Sequence, residues 1–183
     1  MKQEKEKNYC TLYLVRHGET EWNVKRINQG QSESSLTEVG IKQAKETALK
    51  LKNIKFDAIF SSDLTRAKRT AEIIKLDREL VIQTSKLLRE RALESFEGKH
   101  SDIFKNTLKD KLAQRENLSD EESWSFELAD DIETNEVLVT RFITHLREIS
   151  VAYPSKTVLV VSHGGPIRMF LLKIGFAKKK ELP

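Results

Sequence analysis

Four short apolar segments separated by stretches of helical periodicity constrain the fold more than any other feature of the sequence. The predicted strands cover residues 10–15, 56–60, 80–83 and 157–161. The predicted helices cover residues 37–51, 63–74 and 135–153, and a closing helix carries Pro166 in its first turn. Strands that alternate with helices predict an α/β fold, here a three-layer α/β/α sandwich with a mainly parallel sheet. Thr37 and Asp63 are the predicted N-caps of the first two helices.

Residues 99–131 interrupt this alternation. Apolar residues at helical spacing begin the segment, and an acidic stretch follows them. We interpret the segment as a small helical cap inserted over the carboxyl ends of the strands. A length of 183 residues is typical of a single domain, so residues 1–183 are predicted to form one domain with a polar tail at residues 1–8.

The composition narrows the classes of function. No apolar run approaches the roughly 20 residues that span a bilayer, and the first seven residues lack the apolar core of a signal peptide. The single cysteine, Cys10, excludes an internal disulfide framework, which favours a cytoplasmic location. The net charge of +4 suits an anionic ligand, although residues 114–136 hold nine acids and one arginine. No nucleic-acid-binding motif accompanies the lysines, so the predicted partner is a small anionic molecule, with neither nucleic acid nor membrane involved.

Two of the predicted strands end in His-Gly. Arg16 and His17 follow the first strand, His163 follows the last, and Arg66 lies just after the second. In parallel sheets ligands bind beyond the carboxyl ends of the strands, so these side chains are expected to meet there. Arginine forks suit phosphate oxygens, and glycine allows a ligand to approach the main chain closely. The pattern predicts a phosphate site without a cofactor or metal, because paired aspartates and HxH patterns at strand ends are missing.

The chain resembles the histidine phosphatase superfamily, in its phosphoglycerate-mutase-like branch. Five ordered blocks between residue 12 and about residue 172 carry the resemblance. They are Leu14-Val15-Arg16-His17-Gly18-Glu19-Thr20 with Trp22-Asn23; Leu36-Thr37 with Gly40 and Gln43-Ala44; Ser61-Ser62-Asp63-Leu64 with Arg66-Ala67 and Thr70-Ala71; Leu88-Arg89-Glu90 with Phe96-Glu97-Gly98; and Ser162-His163-Gly164-Gly165 with Ile167-Arg168.

The resemblance implies a role for each matching residue. His17 would attack phosphorus and form a phosphohistidine, and Glu90 would protonate the leaving oxygen and then activate water. Arg16, Arg66 and His163 would hold the phosphoryl oxygens. The implied substrate-binding residues are Asn23, Gln29, Gly30 and Gly164. His100, His145 and Cys10 are expected to take no part in the chemistry.

Three functions share these residues. Mutases of the family carry a longer insertion with an adjacent arginine pair, whereas this cap is short and has none. We therefore expect a metal-independent phosphomonoester phosphatase, with a cofactor-dependent phosphoglycerate mutase as the alternative. A catalytically weak phosphate-binding regulatory module is the alternative from another class. Relatives also continue into further strands after the last helix, and a sheet edge left open by their loss would allow a homodimer.

Overall fold

A parallel sheet of four strands lies at the centre of the computed structural model, which describes residues 9–176 apart from the side chain of Asp120. The strands are β1 (Thr11–Arg16), β2 (Ala58–Ser62), β3 (Ile82–Ser85) and β4 (Thr157–Ser162), in the order β1-β4-β2-β3 across the sheet. Val158 of β4 pairs with Leu12 on one side and Ala58 on the other. This register places the carboxyl ends of β1, β2 and β4 side by side.

Eight α-helices and two 3₁₀ turns connect the strands in the described part of the chain. The helices are α1 (Glu21–Val24), α2 (Glu38–Lys50), α3 (Thr65–Lys75), α4 (Ser101–Thr107), α5 (Lys109–Glu116), α6 (Asp120–Ser125), α7 (Asn135–Ala152) and α8 (Gly164–Lys173). The 3₁₀ turns are Lys86–Leu88 and Glu94–Phe96. None of the helices in residues 9–176 is both long and apolar enough to cross a membrane.

The two faces of the sheet are covered by different helices. In β4, Val158 and Val160 face a cluster with Phe142 of α7, whereas Leu159 and Val161 face α3. Alternate side chains of a strand point to opposite faces, so a strand buried on both sides is apolar throughout. The predicted α/β sandwich is confirmed, with α7 and α8 on one face and α2 and α3 on the other.

The predicted segment 99–131 contains α4, α5 and α6. Phe96, Leu108, Leu128 and Ile132 form a separate buried cluster at this part of the chain, with Phe104 and Leu112 packed against it. Trp124 of α6 also lies 4.8 Å from Nζ of Lys173 on α8, measured to the ring centroid. The predicted tail at residues 1–8 lies outside the described residues, and the division into one domain with a cap stays a prediction.

The predicted boundaries of two strands differ from the structure by two residues. β2 extends through Ser61 and Ser62, and β3 extends to Ser85, because Ser61 pairs with Thr84 and Ser62 with Ser85. A prediction from apolar residues alone ends these strands too early. The hydrogen-bonded ladder between β2 and β3 continues through polar residues, because pairing uses backbone groups. The strand ends therefore lie closer to the predicted site residues.

Asp63 does not cap α3, so that prediction is wrong. The N-cap is Leu64, and the Glu33 carboxylate accepts the N–H of Thr65 at 3.0 and 3.1 Å. The Asp63 carboxylate instead accepts two hydrogen bonds from Arg89, at 2.7 and 2.6 Å. Both oxygens of the carboxylate are thus paired with the Arg89 guanidinium and do not bind the start of the helix. The guanidinium also holds the pKa of Asp63 below its usual range. The predicted cap at Thr37 is confirmed, because its hydroxyl accepts the N–H of Gly40 at 3.0 Å.

Candidate active site

A cavity of about 240 Å³ opens beyond the carboxyl ends of the strands. Its lining is Arg16, His17, Asn23, Ile27, Asn28, Gln29, Gly30, Arg66, Glu90 and Leu93. Seven of the nine predicted site residues are in this set. The remaining two, His163 and Gly164, lie against the lining residues His17 and Arg16. Gly164 lies against Arg16, since a Cβ added to it would be 3.3 Å from the Arg16 Nε.

His17 follows β1 directly and is buried. Its Nδ1 lies 2.7 Å from the carbonyl oxygen of Gly18. A carbonyl oxygen only accepts hydrogen bonds, so Nδ1 carries the proton and Nε2 keeps its lone pair. Thr70 of α3 holds the same turn, because its hydroxyl accepts the N–H of Gly18 at 3.1 Å. The main chain therefore sets both the orientation and the tautomer of this imidazole.

Burial, together with the positive charges of Arg66 and Arg16, lowers the pKa of His17 to about 3, against the opposing effect of the Gly18 carbonyl. The imidazole is neutral at pH 7 as a result. A neutral ring with a free Nε2 is the state that a histidine nucleophile needs, since a protonated ring has no lone pair to donate.

His163 follows β4 and is fully buried. Its ring centroid lies 5.1 Å from that of His17, with the rings at 61°. Both ring nitrogens are buried and have no hydrogen-bond partner within the described residues. Burial holds the pKa of His163 well below its usual range, and Arg66 and His17 add to this effect. An unpartnered ring nitrogen is expensive to bury, so a ligand that pairs it stabilises this arrangement.

The two arginines of the site differ in their surroundings. Arg66 is 1% exposed and donates to the carbonyl oxygens of Gly30 and Ser32 at 2.7 and 2.8 Å. Its Nε is buried without a partner within residues 9–176. Arg16 is exposed at the cavity, and its guanidinium makes no hydrogen bond or ion pair in the described part of the chain. Arg66 is therefore fixed in place, whereas Arg16 is free to take an anion.

Helix α1 and the loop between α1 and α2 supply a second wall of the cavity. Asn23 in α1 accepts the N–H and hydroxyl of Thr20 with its Oδ1, which leaves its amide nitrogen free to donate. Gly30 has a φ of +51°, which L-residues with a side chain rarely adopt. A Cβ there would also lie 2.0 Å from the Glu97 carboxylate, which accepts the N–H of Gln31 at 2.8 Å. Gln29 is buried beside this glycine and lines the cavity.

Glu90 reaches the cavity from the segment that follows β3. Its carboxylate accepts the N–H of Arg91 at 2.8 Å and the N–H of Gly165 at 3.0 Å. A Cβ on residue 165 would lie 2.0 Å from the Glu90 Oε1, so only glycine allows this approach. The second glycine after His163 thus brings the acid and the two histidines to one place.

Arg141 of α7 holds the main chain on which Glu90 lies. Its guanidinium donates to the carbonyl oxygens of Leu87, Arg89 and Glu90 at 2.8 to 2.9 Å. It also donates to both carboxylate oxygens of Glu133, at 2.6 and 2.9 Å. All five N–H groups of the side chain are thereby used. The pair of Arg141 and Glu133 was not predictable from the sequence, because neither residue follows a strand.

The residues expected to take no part lie outside the cavity lining. His145 packs edge-on against Phe60, with centroids 6.0 Å apart, and its Nδ1 lies 2.9 Å from Glu148. His100 is the N-cap of α4. Cys10 is half-buried just before β1, and burial raises the pKa of its thiol. Ile27, Asn28 and Leu93 line the cavity and were not predicted from the sequence; polar or apolar type alone does not distinguish them.

Comparison with known proteins finds a matching family and several similar proteins. Residues 12–182 match the family described as the histidine phosphatase superfamily (branch 1). The chain is 35% identical to the uncharacterized phosphatase PhoE of Bacillus subtilis, over 88% of this chain and 75% of that one. It is 46% identical to a probable phosphoglycerate mutase, GpmB of Escherichia coli, over 50% of this chain and only 42% of that one. The structure of Bacillus stearothermophilus YhfR matches with a TM-score of 0.81 and 29% identity, over 92% of this chain and 81% of that one.

Proposed function

Because the chain belongs to the histidine phosphatase superfamily (branch 1), we propose that it is a phosphomonoester phosphatase that works through a phosphohistidine on His17. The relative that supports hydrolysis is the Bacillus subtilis protein named as a phosphatase, which aligns with most of this chain. The observation that carries the proposal is the neutral His17, whose free Nε2 shares one cavity with two cations and a carboxyl group.

In the first step, the lone pair on Nε2 of His17 forms a bond to phosphorus. The bond between phosphorus and the alcohol oxygen breaks, and Glu90 in its acid form gives that oxygen a proton. Arg16 and Arg66 face the three remaining phosphoryl oxygens and offset the charge that they carry in the transition state. His163 adds a buried ring nitrogen that has no partner in the described structure.

In the second step, water attacks the phosphohistidine. Glu90, now a carboxylate, takes a proton from the water, and the bond between phosphorus and Nε2 breaks with its electron pair returning to the ring. Inorganic phosphate leaves, and His17 is neutral again with its proton still on Nδ1. The hydrogen bond to the Gly18 carbonyl keeps that proton in place throughout the cycle.

The alternative is a phosphoglycerate mutase, which the similarity to GpmB favours. That similarity extends over half of this chain and less than half of the relative. The difference between them is the fate of the phosphohistidine: a phosphatase passes the phosphoryl group to water, and a mutase returns it to an organic acid.

Release of inorganic phosphate tests the proposal. The protein is incubated with para-nitrophenyl phosphate and with 3-phosphoglycerate, in each case with and without EDTA. We expect phosphate release that survives EDTA and a phosphoprotein that is labile in acid and stable in base. Formation of 2-phosphoglycerate that depends on 2,3-bisphosphoglycerate would establish the mutase instead. Binding of phosphate without turnover would identify a regulatory module.

The rest of the proposal concerns the setting of the reaction. We place the protein in the cytoplasm, which its single cysteine supports. The proposed partner is a small phosphorylated molecule, with neither nucleic acid nor membrane, and a homodimer stays a prediction. Within the described residues no group of three or more His, Cys, Asp and Glu is placed to hold a metal, and the EDTA arm of the assay tests the metal-independent mechanism.

A further inference from the structure

The charges around the cavity are distributed unevenly. Arg16 and Arg66 act on His17, since both lower its pKa, and they belong to the part of the cavity that would hold phosphate. The remaining wall consists of Asn23 and the segment Ile27, Asn28, Gln29 and Gly30, together with Glu90 and Leu93 from the segment that follows β3. Apart from Glu90, every one of these wall residues is neutral.

Two further cations, Arg89 and Arg91, flank Glu90 in the sequence, and both pair with oxygen atoms of other residues. Arg89 donates to the Asp63 carboxylate at 2.6 and 2.7 Å and to the Gln31 side chain at 3.1 Å. Arg91 donates to the carbonyl oxygen of Glu133 and, at 2.6 Å, to the Asn135 side chain. Each guanidinium already has oxygen partners, so neither offers an anion a free fork at the cavity.

Leu93 marks the place where a second charge on a substrate would be least favourable. It lines the cavity and also packs against the buried cluster of Phe96 and Leu108. An anionic group next to it would lose water and contact an aliphatic side chain. Desolvation without a counter-charge disfavours this arrangement.

We propose that the natural substrate is a phosphate monoester of an uncharged alcohol, whose organic part fills the neutral wall formed by Ile27, Asn28 and Leu93. Among the described residues, the cations that line the cavity are Arg16 and Arg66, and both belong to the phosphate end. This inference rests on the proposed phosphatase activity and specifies which esters that activity prefers.

The test uses two esters that differ by one charged group. Glycerol 3-phosphate and 3-phosphoglycerate have the same three-carbon chain, but a neutral CH₂OH in the first is a carboxylate in the second. We expect kcat/KM for glycerol 3-phosphate to be at least about tenfold higher, which is a difference of about 1.4 kcal/mol in transition-state binding. Equal values, or a higher value for 3-phosphoglycerate, would overturn the inference while leaving the phosphatase in place.

A charge added to the wall sharpens the test. Leu93→Arg should reduce the preference for the neutral ester by about tenfold or reverse it, whereas Val81→Arg adds the same charge at a residue that is 82% exposed and should keep the wild-type ratio. Because Leu93 is partly buried, Ile27→Lys is made in parallel, and circular dichroism identifies the folded variants. An unchanged ratio in a folded variant would show that this wall does not contact the organic part. Failure of wild-type protein to release phosphate even from para-nitrophenyl phosphate would remove the proposed function itself.

Discussion

The two halves of the site are held in different ways. His17 and His163 directly follow two neighbouring strands, β1 and β4. The two strands are paired along their whole length, from Thr11 with Thr157 to Arg16 with Ser162. Glu90 lies on an irregular segment, and side chains hold it: Arg141 binds the main chain around it, and Gly165 leaves room for its carboxylate. The histidine half therefore depends on the sheet, whereas the acid half depends on a few polar contacts. A single substitution should disturb the acid half while leaving the histidine half intact.

Loss of the proposed nucleophile should have the largest effect. His17→Ala removes the atom that is proposed to form the bond to phosphorus, so phosphate release should fall at least about 10³-fold and the acid-labile phosphoprotein should disappear. The matched control is His145→Gln, since His145 lies outside the cavity lining. That control should stay within about threefold of wild type by the same phosphate assay. A similar loss in both variants would mean that the assay reports folding and not chemistry.

Loss of the proposed acid, Glu90, should have the next largest effect, and the size of that effect should depend on the ester. Glu90→Gln keeps the shape and removes the proton, so kcat/KM for glycerol 3-phosphate, which does not include hydrolysis of the phosphohistidine, should fall about 10²-fold or more. Para-nitrophenolate leaves without protonation, so para-nitrophenyl phosphate should be affected much less. Equal losses for the two esters would contradict the assignment of Glu90 as the proton donor.

Arg141→Lys should weaken the acid half without removing a group that contacts substrate. Lysine keeps a positive charge beside Glu133 but cannot donate to the carbonyl oxygens of Leu87, Arg89 and Glu90 together. We expect kcat/KM to fall about tenfold for glycerol 3-phosphate and less for para-nitrophenyl phosphate, which is the same dependence on the ester that is expected of Glu90→Gln.

The double variant separates positioning from general stability. If Arg141 acts through Glu90, the losses from Arg141→Lys and Glu90→Gln should not add, because a displaced acid and an absent acid have the same consequence. Additive losses, or a loss equal for both esters, would show that Arg141 has only a structural role.

The smallest expected effect concerns the pH dependence of folding. The pKa of His17 is about 3 in the folded protein and about 6.5 when unfolded, so between these values the unfolded chain binds the extra proton. This contribution to stability is complete above pH 6.5 and is lost as the pH falls toward 3. The unfolding free energy of wild type should therefore fall between pH 6 and pH 5. In His17→Gln this fall should be smaller by about 1 kcal/mol, measured by urea denaturation. Equal losses in the two proteins would show that His17 is not buried in its neutral form.

Particular residues show how far the sequence could be interpreted. The approach of His17 to His163 was predictable, because two His-Gly pairs follow parallel strands and the ends of such strands share one edge. The role of Asp63 was not, because an aspartate before a helix usually caps it, and here the fork of Arg89 competes for the same carboxylate. Arg89 lies 26 residues after Asp63, so the local sequence around the start of α3 could not predict this pairing.

The sequence by itself determined the parallel α/β sandwich, the histidine pair at its carboxyl edge and the membership in one family, because strand and helix periodicities are local and the motif blocks are contiguous. Only the tertiary structure decided which charges are free to act. Arg16 is open to the cavity, while Arg89 and Arg91 have oxygen partners inside the protein. With 33% of its residues charged, the chain offers many pairings for each arginine, and burial and distance in three dimensions select among them.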